Sequence, residues 1–115
     1  MNIAAIALLK ERTKLIHEKE ISHALSEKIY FILFNFIKIY SQRLNPDSFR
    51  ELKVEIRIMN AEGSKKEFEV KSDFFCDNGI FSSKKVGWNL YEITKNSIAS
   101  IKSKLFSKFT WIKKI

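Results

Sequence analysis

Two runs of alternating residues, joined by a short turn, constrain the fold of this chain more than any other feature. Residues 51–59 read ELKVEIRIM, in which apolar residues alternate with charged ones, and residues 65–75, KKEFEVKSDFF, continue the pattern after the turn NAEGS. A two-residue period places the apolar side chains on one face of a strand. The sequence therefore predicts an antiparallel hairpin with one buried face and one wet face, on which cross-strand ion pairs account for the charges.

A second turn and a helix start follow the hairpin. The turn DNG (77–79) precedes residues 80–86, for which we predict a short third strand. Asn89 and Glu92 fit a capping box, and Trp88 with Ile93 fits a hydrophobic staple, so Trp88 is interpreted as mainly structural. A helix is predicted from residue 90 through LYEITKNSIASIKSKLF, burying Leu90, Ile93, Ser97, Ile98, Ile101, Leu105 and Phe109.

The tail KFTWIKKI (108–115) has two interpretations. Its alternation fits a short edge strand that returns to the sheet, and its composition fits a flexible aromatic and basic tail. In one interpretation Phe109 and Trp111 fill the core. In the other, Trp111 stacks on a base of a nucleic acid.

No glycine or proline occurs before Pro46, so the first 45 residues can be helical. The apolar residues of 1–16 and 25–40 do not share one helical phase, which favours a break near residues 19–23, although one long helix stays open. The segment IYFILFNFIKIY (29–40) is apolar nearly all round, yet too short and too polar at Asn35 and Lys38 for a membrane span. It must be covered by the sheet and by another helix or a second copy. The predicted homodimer or partner interface consists of Phe31, Phe34, Ile37 and Tyr40.

These elements predict one α+β domain over residues 1–115. N-terminal helices, one long or two, pack on a small antiparallel sheet made of the hairpin and a third strand. A C-terminal helix and a short terminal strand complete it.

The charge is distributed unevenly along the chain. The net charge is +8; residues 1–79 contain 13 basic and 12 acidic residues, whereas residues 80–115 contain eight lysines and only one acidic residue, Glu92. Such an excess attracts nucleic acid, an acidic protein surface or an anionic membrane surface, although lysines also serve solubility alone. The predicted nucleic-acid-binding residues are Lys84, Lys85, Lys95, Lys102, Lys104, Trp111, Lys113 and Lys114.

The sequence offers little for catalysis or metal binding. Cys76 is the single cysteine, which excludes an internal disulfide and indicates a reducing, cytoplasmic setting. His17 and His23 are six residues apart, which is the wrong spacing for a two-histidine metal edge on a helix. No nucleotide-binding glycine loop or hydrolase motif occurs. We therefore expect no enzyme, catalytic residue, metal or cofactor, and no integral membrane association.

The order helix, hairpin, third strand, helix, together with GIFSSKK at 79–85, resembles the double-stranded RNA-binding domain. The resemblance implies that Lys84 and Lys85 contact phosphates across a groove. Two features depart from that family: the helix start lies four residues after Lys85, and Gly87, Trp88 and Tyr91 replace its small residues.

Two functions of different classes follow. The first is a small, basic, non-enzymatic binding module that contacts nucleic acid or a nucleic-acid-containing complex through a lysine-rich C-terminal face. The alternative is a protein–protein interaction factor, a regulator or inhibitor of the kind carried by mobile elements, that dimerises or docks through the aromatic helix 29–40.

Overall fold

The computed structural model describes residues 12–17, 21–43, 48–77 and 79–113, with side chains to residue 16, from 21 to 40, from 48 to 77 and from 79 to 107. A four-stranded sheet in the order β1-β2-β3-β4 carries both helices on one face, which confirms the α+β class. The elements are β1 (Thr13–His17), α1 (His23–Arg43), β2 (Phe49–Glu62), β3 (Lys65–Cys76), β4 (Gly79–Gly87) and α2 (Leu90–Lys113).

The expectation that helices alone precede the hairpin is wrong, because Thr13–His17 forms strand β1. This strand pairs in parallel with β2, from Thr13 opposite Leu52 to His17 opposite Ile56, so the sheet is mixed and the expectation of an antiparallel sheet is wrong. The Leu52 N–H donates to the Arg12 carbonyl at 3.0 Å, which begins the pairing. Helix propensity is a weak local preference, and the open edge of β2 outweighs it by pairing the backbone of residues 13–17. The helix expected over the first residues of the chain cannot be compared, because residues 1–11 lie outside the described part of the chain.

Helix α1 begins at His23, at the end of the region where a break was predicted. Ser22 caps it, since the Leu25 N–H donates to the Ser22 hydroxyl at 3.2 Å. The helix provides the crossover that a parallel β1–β2 pair requires. Within the described residues, no helix is long and apolar enough to cross a membrane.

The predicted hairpin and third strand are confirmed. β2 and β3 pair antiparallel with Val54 opposite Ser72, and β3 pairs antiparallel with β4. The first turn is tighter than NAEGS, because residues 60–62 belong to β2 and only Gly63 and Ser64 form the turn. Gly63 has a φ of 60°, a left-handed value that favours glycine.

An aromatic cluster forms the centre of the core between α1 and the sheet. Phe74 of β3 lies 5.4 Å from Phe36, 5.0 Å from Tyr40 and 5.3 Å from Phe49, measured between ring centroids. All but Phe36 are fully buried, and Phe36 is nearly so. Edge-on and tilted contacts of this kind are the favoured aromatic geometries. The cluster therefore fixes α1 over β2 and β3.

Helix α2 covers β3 and β4, and its predicted buried face is confirmed at Leu90, Ile93, Ser97, Ile98, Ile101 and Leu105. The Ser97 hydroxyl donates to the Ser72 hydroxyl at 2.8 Å beneath it. The backbone stays helical to Lys113, so the terminal strand is wrong. The side chains of Phe109 and Trp111 lie outside the described residues.

The start of α2 follows the predicted cap, because the Glu92 N–H donates to the Asn89 side-chain oxygen at 3.1 Å. Replacing Asn89 with alanine should lower the free energy of unfolding by about 1 kcal/mol, since a helix N–H loses its acceptor. Asn89→Asp restores an acceptor and should keep most of the stability. Urea denaturation of the three proteins measures the difference, and equal midpoints for Asn89→Ala and the parent would contradict the role of the cap.

Burial raises the pKa of the Tyr40 phenol above its usual value of 10.0, while its hydrogen bond with Ser48 acts in the opposite direction. The unfolded chain therefore loses this proton at lower pH than the folded chain. We expect the free energy of unfolding to fall as pH rises above 10.0.

Tyr40→Phe should flatten this decline, because the titrating group is gone, whereas Tyr30→Phe on the same helix should leave it in place. Denaturation midpoints between about pH 8 and 11, bracketing an ordinary tyrosine pKa, measure the slope. An unchanged slope in Tyr40→Phe would show that another group causes the decline.

Candidate nucleic-acid interface

The eight predicted nucleic-acid-binding residues fall into two groups. Side chains are described for Lys84, Lys85, Lys95, Lys102 and Lys104. Trp111 and Lys113 lie on the helical backbone of α2, but their side chains are outside the described residues, as is the whole of Lys114.

Lys84 lies on the open face of the sheet, which no helix covers in the described part of the chain. Its Nζ is 3.4 Å from a carboxylate oxygen of Glu69, whose other oxygen is 3.8 Å from Arg57. The Glu69 side chain is only 8% exposed, so it lies between two cations. The positive charge of Lys84 is therefore partly balanced within the sheet by a cross-strand ion pair.

The rest of the open face is also mixed in sign. Lys14 pairs with Glu51 at 3.0 Å, and Lys53 pairs with Glu55 at 3.0 Å. The hydrogen bond with Glu55 raises the pKa of Lys53. An anionic strand on this face would meet carboxylates as often as ammonium groups, so the open face is a poor phosphate surface.

Lys85 lies in β4, an edge strand of the sheet, and Lys104 of α2 contacts that strand. Lys85 follows Lys84 and, by the alternation of the strand, points to the opposite face. Lys104 reaches from α2 to β4, and its Nζ donates to the Ser82 carbonyl at 2.9 Å. A lysine at a strand edge discourages pairing with a further strand. Lys104 therefore has a structural role as well as its charge.

Lys95 and Lys102 border a groove between α1 and α2. They are seven residues apart, two helical turns, and therefore lie on one face of α2. The groove has a volume of about 260 Å³, and Phe31, Phe36 and Ile98 contribute to its apolar lining. We call this surface, formed by Phe31, Tyr91, Lys95 and Lys102, the helix-pair face.

Two aromatic rings are exposed on the helix-pair face. Phe31 is 66% exposed and Tyr91 is 36% exposed, both large fractions for aromatic residues. Lys95 lies over the Tyr91 ring, with its Nζ 5.5 Å from the centroid, within the range of a cation–π contact. Lys28 of α1 lines an adjoining cavity beside Phe31 and Tyr91. Aromatic and basic groups therefore lie close together at this face.

The five described lysines do not share one surface. Lys84 lies on the open face of the sheet, and Lys95 and Lys102 lie among the helices on the other. The physical reason is the strand alternation at Lys84–Lys85 and the helical periodicity of α2, which send neighbouring lysines to different sides. Lys84 therefore lies apart from Lys95 and Lys102, which belong to the helix-pair face, and the binding role of the eight residues stays a prediction.

The predicted interface on α1 is also divided. Phe31 is exposed and Phe34 is half-buried, with its ring 5.5 Å from that of Tyr30. Ile37 and Tyr40 are only 2% and 0% exposed, because they pack into the chain's own core. Ile37 and Tyr40 are therefore not accessible to a partner, and an interface through Phe31 and Phe34 stays a prediction.

Sequence reasoning did not single out Lys28 and Tyr91, which line cavities beside the pair of helices. Tyr91, Lys95 and Lys102 are spaced by four and seven residues, which places them on one stripe of a helix. That stripe was readable from the helical period of α2. The position of α1 beside it was not, because no local signal in the sequence relates the two helices.

The described residues contain no group of three or more histidine, cysteine, aspartate or glutamate side chains that could hold a metal ion. Cys76 is a buried free thiol whose Sγ lies 3.5 Å from the Gly79 carbonyl oxygen. His23 lies 3.0 Å from Glu27 one helical turn away. These contacts are local and structural.

No family model and no curated protein matches this sequence. Among solved structures, the chain is similar to a ribosomal subunit interface protein from Coxiella burnetii, with a TM-score of 0.60 and 14% identity over 85% of this chain and 96% of that one. It is also similar to the N-terminal domain of Thermus thermophilus Protein Y, with a TM-score of 0.49 and 18% identity over 79% and 90% of the two chains. The first likeness shows a shared fold.

The structure departs from the double-stranded RNA-binding domain that the element order resembles. A strand, β1, precedes the first helix, and Lys84 and Lys85 lie inside β4 instead of opening α2. The phosphate contacts that the resemblance implied for Lys84 and Lys85 therefore do not have the helix-start geometry of that family.

Proposed function

We propose that this protein is a non-enzymatic binding module that contacts the RNA of a nucleic-acid-containing complex through its helix-pair face. The observation that carries the proposal is the placement of Lys95 and Lys102 along a groove that also exposes Phe31 and Tyr91. Ammonium groups neutralise phosphates, and exposed aromatic rings stack on bases, so this combination suits a nucleic-acid strand.

The electrostatics of the helix-pair face support the proposal. Neither Lys95 nor Lys102 has a carboxylate within ion-pair distance among the residues that the structure describes. Lys84, by contrast, is paired with Glu69. Cations that are not paired with a carboxylate neutralise phosphates and release the counterions of the nucleic acid, which supplies most of the sequence-independent affinity.

The likeness in fold adds to this argument. The Coxiella burnetii protein is described as a ribosomal subunit interface protein, and ribosomal subunits are rich in RNA. We therefore propose a ribosome or another RNA-rich assembly as the partner, which would place the protein in the cytoplasm, and we propose that the chain acts as one domain.

The first test removes two charges from the helix-pair face. Lys95→Gln with Lys102→Gln should weaken binding to a structured RNA and to purified ribosomal subunits, because two phosphate contacts are lost. The slope of log K against log salt should become shallower by about 1.4 to 1.8. Binding is measured between about 50 and 200 mM salt, where such contacts respond strongly.

The matched control is Lys53→Gln with Lys71→Gln, which removes the same charge from the open face of the sheet. It should leave the slope nearly unchanged. Equal losses in the two double variants would show that only net charge matters, which would contradict a localised face. A third variant, Lys84→Gln, should bind RNA as tightly as the parent does. Loss of RNA binding in this variant would instead support the phosphate contact that the sequence predicts for Lys84.

A specific observation also favours the second function, a protein–protein interaction factor. Phe31 is 66% exposed and, with Glu27, Tyr30 and Phe34, lines a cavity of about 420 Å³ on the outer side of α1. An apolar patch of this kind on a surface helix is typical of an oligomer or partner contact. We propose homodimerisation through Phe31 and Phe34 as the alternative.

Light scattering at two salt concentrations separates the alternatives. A dimer held by Phe31 should survive about 1 M salt, where charge interactions are screened within about 3 Å, and Phe31→Ser should convert it to a monomer. Met59→Ser removes another exposed apolar side chain, from the hairpin, and should have no effect on the mass. A monomer at both salt concentrations would exclude this alternative and leave the helix-pair face free for RNA.

A further inference from the structure

The tip of the β2–β3 hairpin extends beyond its neighbouring strands. β1 pairs with β2 only as far as Ile56, and β4 pairs with β3 only from Phe68 onward. Residues 59–67 therefore have only each other as strand neighbours among the described residues, and we call them the hairpin arm. Its turn, at Gly63 and Ser64, stands away from the sheet edge.

An open cavity of about 740 Å³ lies between the hairpin arm and the start of α2. Phe68 and Trp88 provide its aromatic lining, and Glu62, Lys65 and Lys66 of the arm provide its charges. The volume falls within the range of small-molecule sites, and a few charged groups around aromatic rings are their usual composition. None of the residues that line this cavity belongs to the helix-pair face.

Trp88 is 49% exposed, although it is the largest apolar side chain in this region. The sequence predicts that it packs on Ile93 as a staple. Ile93 lies close to Gly87, where an added Cβ would be 2.6 Å from the Ile93 Cγ2 atom, and the staple contact with Trp88 stays a prediction. The indole therefore borders the cavity with half of its surface accessible, where a ligand could cover it.

The geometry points to a binding site for one unpaired nucleotide, with its base stacked on Trp88 and its phosphate held by Lys65. Every base has a π face, so an exposed indole binds unpaired nucleotides with little regard to sequence. Lys65 lines the same cavity as the indole, and its ammonium group suits the phosphate of the nucleotide whose base stacks there.

Glu62 gives this site a base preference. A carboxylate repels phosphate but accepts hydrogen bonds from base N–H groups, so it suits the base edge and not the backbone. Guanine presents two adjacent donors, on N1 and on its exocyclic amine, to the two oxygens of one carboxylate. The site therefore favours guanine over bases with a single donor at that edge.

This inference deepens the proposed function, since it gives an RNA-binding protein a second contact that reads unpaired nucleotides. The helix-pair face would hold the sugar–phosphate backbone, and the cavity would take a base from a loop or a single-stranded end. Sequence-specific contacts to RNA are typically made with such unstacked bases.

The test uses the full chain with Trp111→Phe, so that Trp88 is the single tryptophan. Guanosine 5′-monophosphate and a short unstructured G-rich RNA should quench its fluorescence. Trp88→Ala, assayed by anisotropy of a labelled RNA, should weaken binding of the single strand about 5- to 150-fold, which corresponds to the loss of one stacked base. Glu62→Gln should reduce the ratio of guanosine to uridine monophosphate affinity.

Lys65→Gln provides a variant that cannot disturb packing, because Lys65 is exposed at the hairpin turn. It should weaken mononucleotide binding, whereas Lys71→Gln, an equal charge change on the open face, should not. Unchanged affinity for the single strand in folded Trp88→Ala, or equal effects of Lys65→Gln and Lys71→Gln, would overturn the site.

The two proposals fail separately. Structured duplex RNA, measured with the same proteins, should depend on Lys95 and Lys102 and not on Trp88. Loss of duplex binding alone in Lys95→Gln with Lys102→Gln supports the helix-pair face, and loss of single-strand binding alone in Trp88→Ala supports the cavity. If Trp88→Ala binds both RNAs as tightly as the parent, the proposed nucleotide site in the cavity is contradicted. The proposal for the helix-pair face is then unaffected.

Discussion

The packing of α1 on the sheet through Phe74 is the interaction on which the other features depend. Phe74 contacts Phe36 and Tyr40 of α1 and Phe49 of β2, so one side chain joins three elements. With α1 held over β2 and β3, α2 covers the remaining part of the sheet over β3 and β4. The groove between the helices, and therefore the helix-pair face, exists because both helices are held on the same side of one sheet.

The sheet also divides the charge of the protein. Alternation along β4 sends Lys84 to the open face, where Glu69 partly neutralises it, and Lys85 to the other side. Helical periodicity separates Lys104, which bonds to the Ser82 carbonyl, from Lys95 and Lys102. Lysines that are concentrated in one third of the sequence thus lie on different surfaces of the protein. Those without nearby carboxylates attract phosphates most strongly.

Several elements could be predicted because their signals are local. The hairpin followed from a two-residue period, and the start of α2 followed from Asn89, whose side chain accepts the Glu92 N–H. β1 could not be predicted in this way, since residues 13–17 form a strand only by pairing with the edge of β2, which lies over 30 residues later. Of the proposed helix-pair face, Lys95 and Lys102 were among the residues predicted from the sequence to bind nucleic acid, whereas Tyr91 was not.

The sequence alone determined the α+β class, the hairpin, the third strand, the last helix with its buried face, and the excess of positive charge in the last third. These features depend on residues within a few positions of each other, so composition and periodicity specify them. Tertiary structure decided that residues 13–17 pair as a strand, which lysines meet carboxylates, and which aromatic rings stay exposed. Those outcomes depend on contacts between residues distant in the chain, whose energies no local pattern contains.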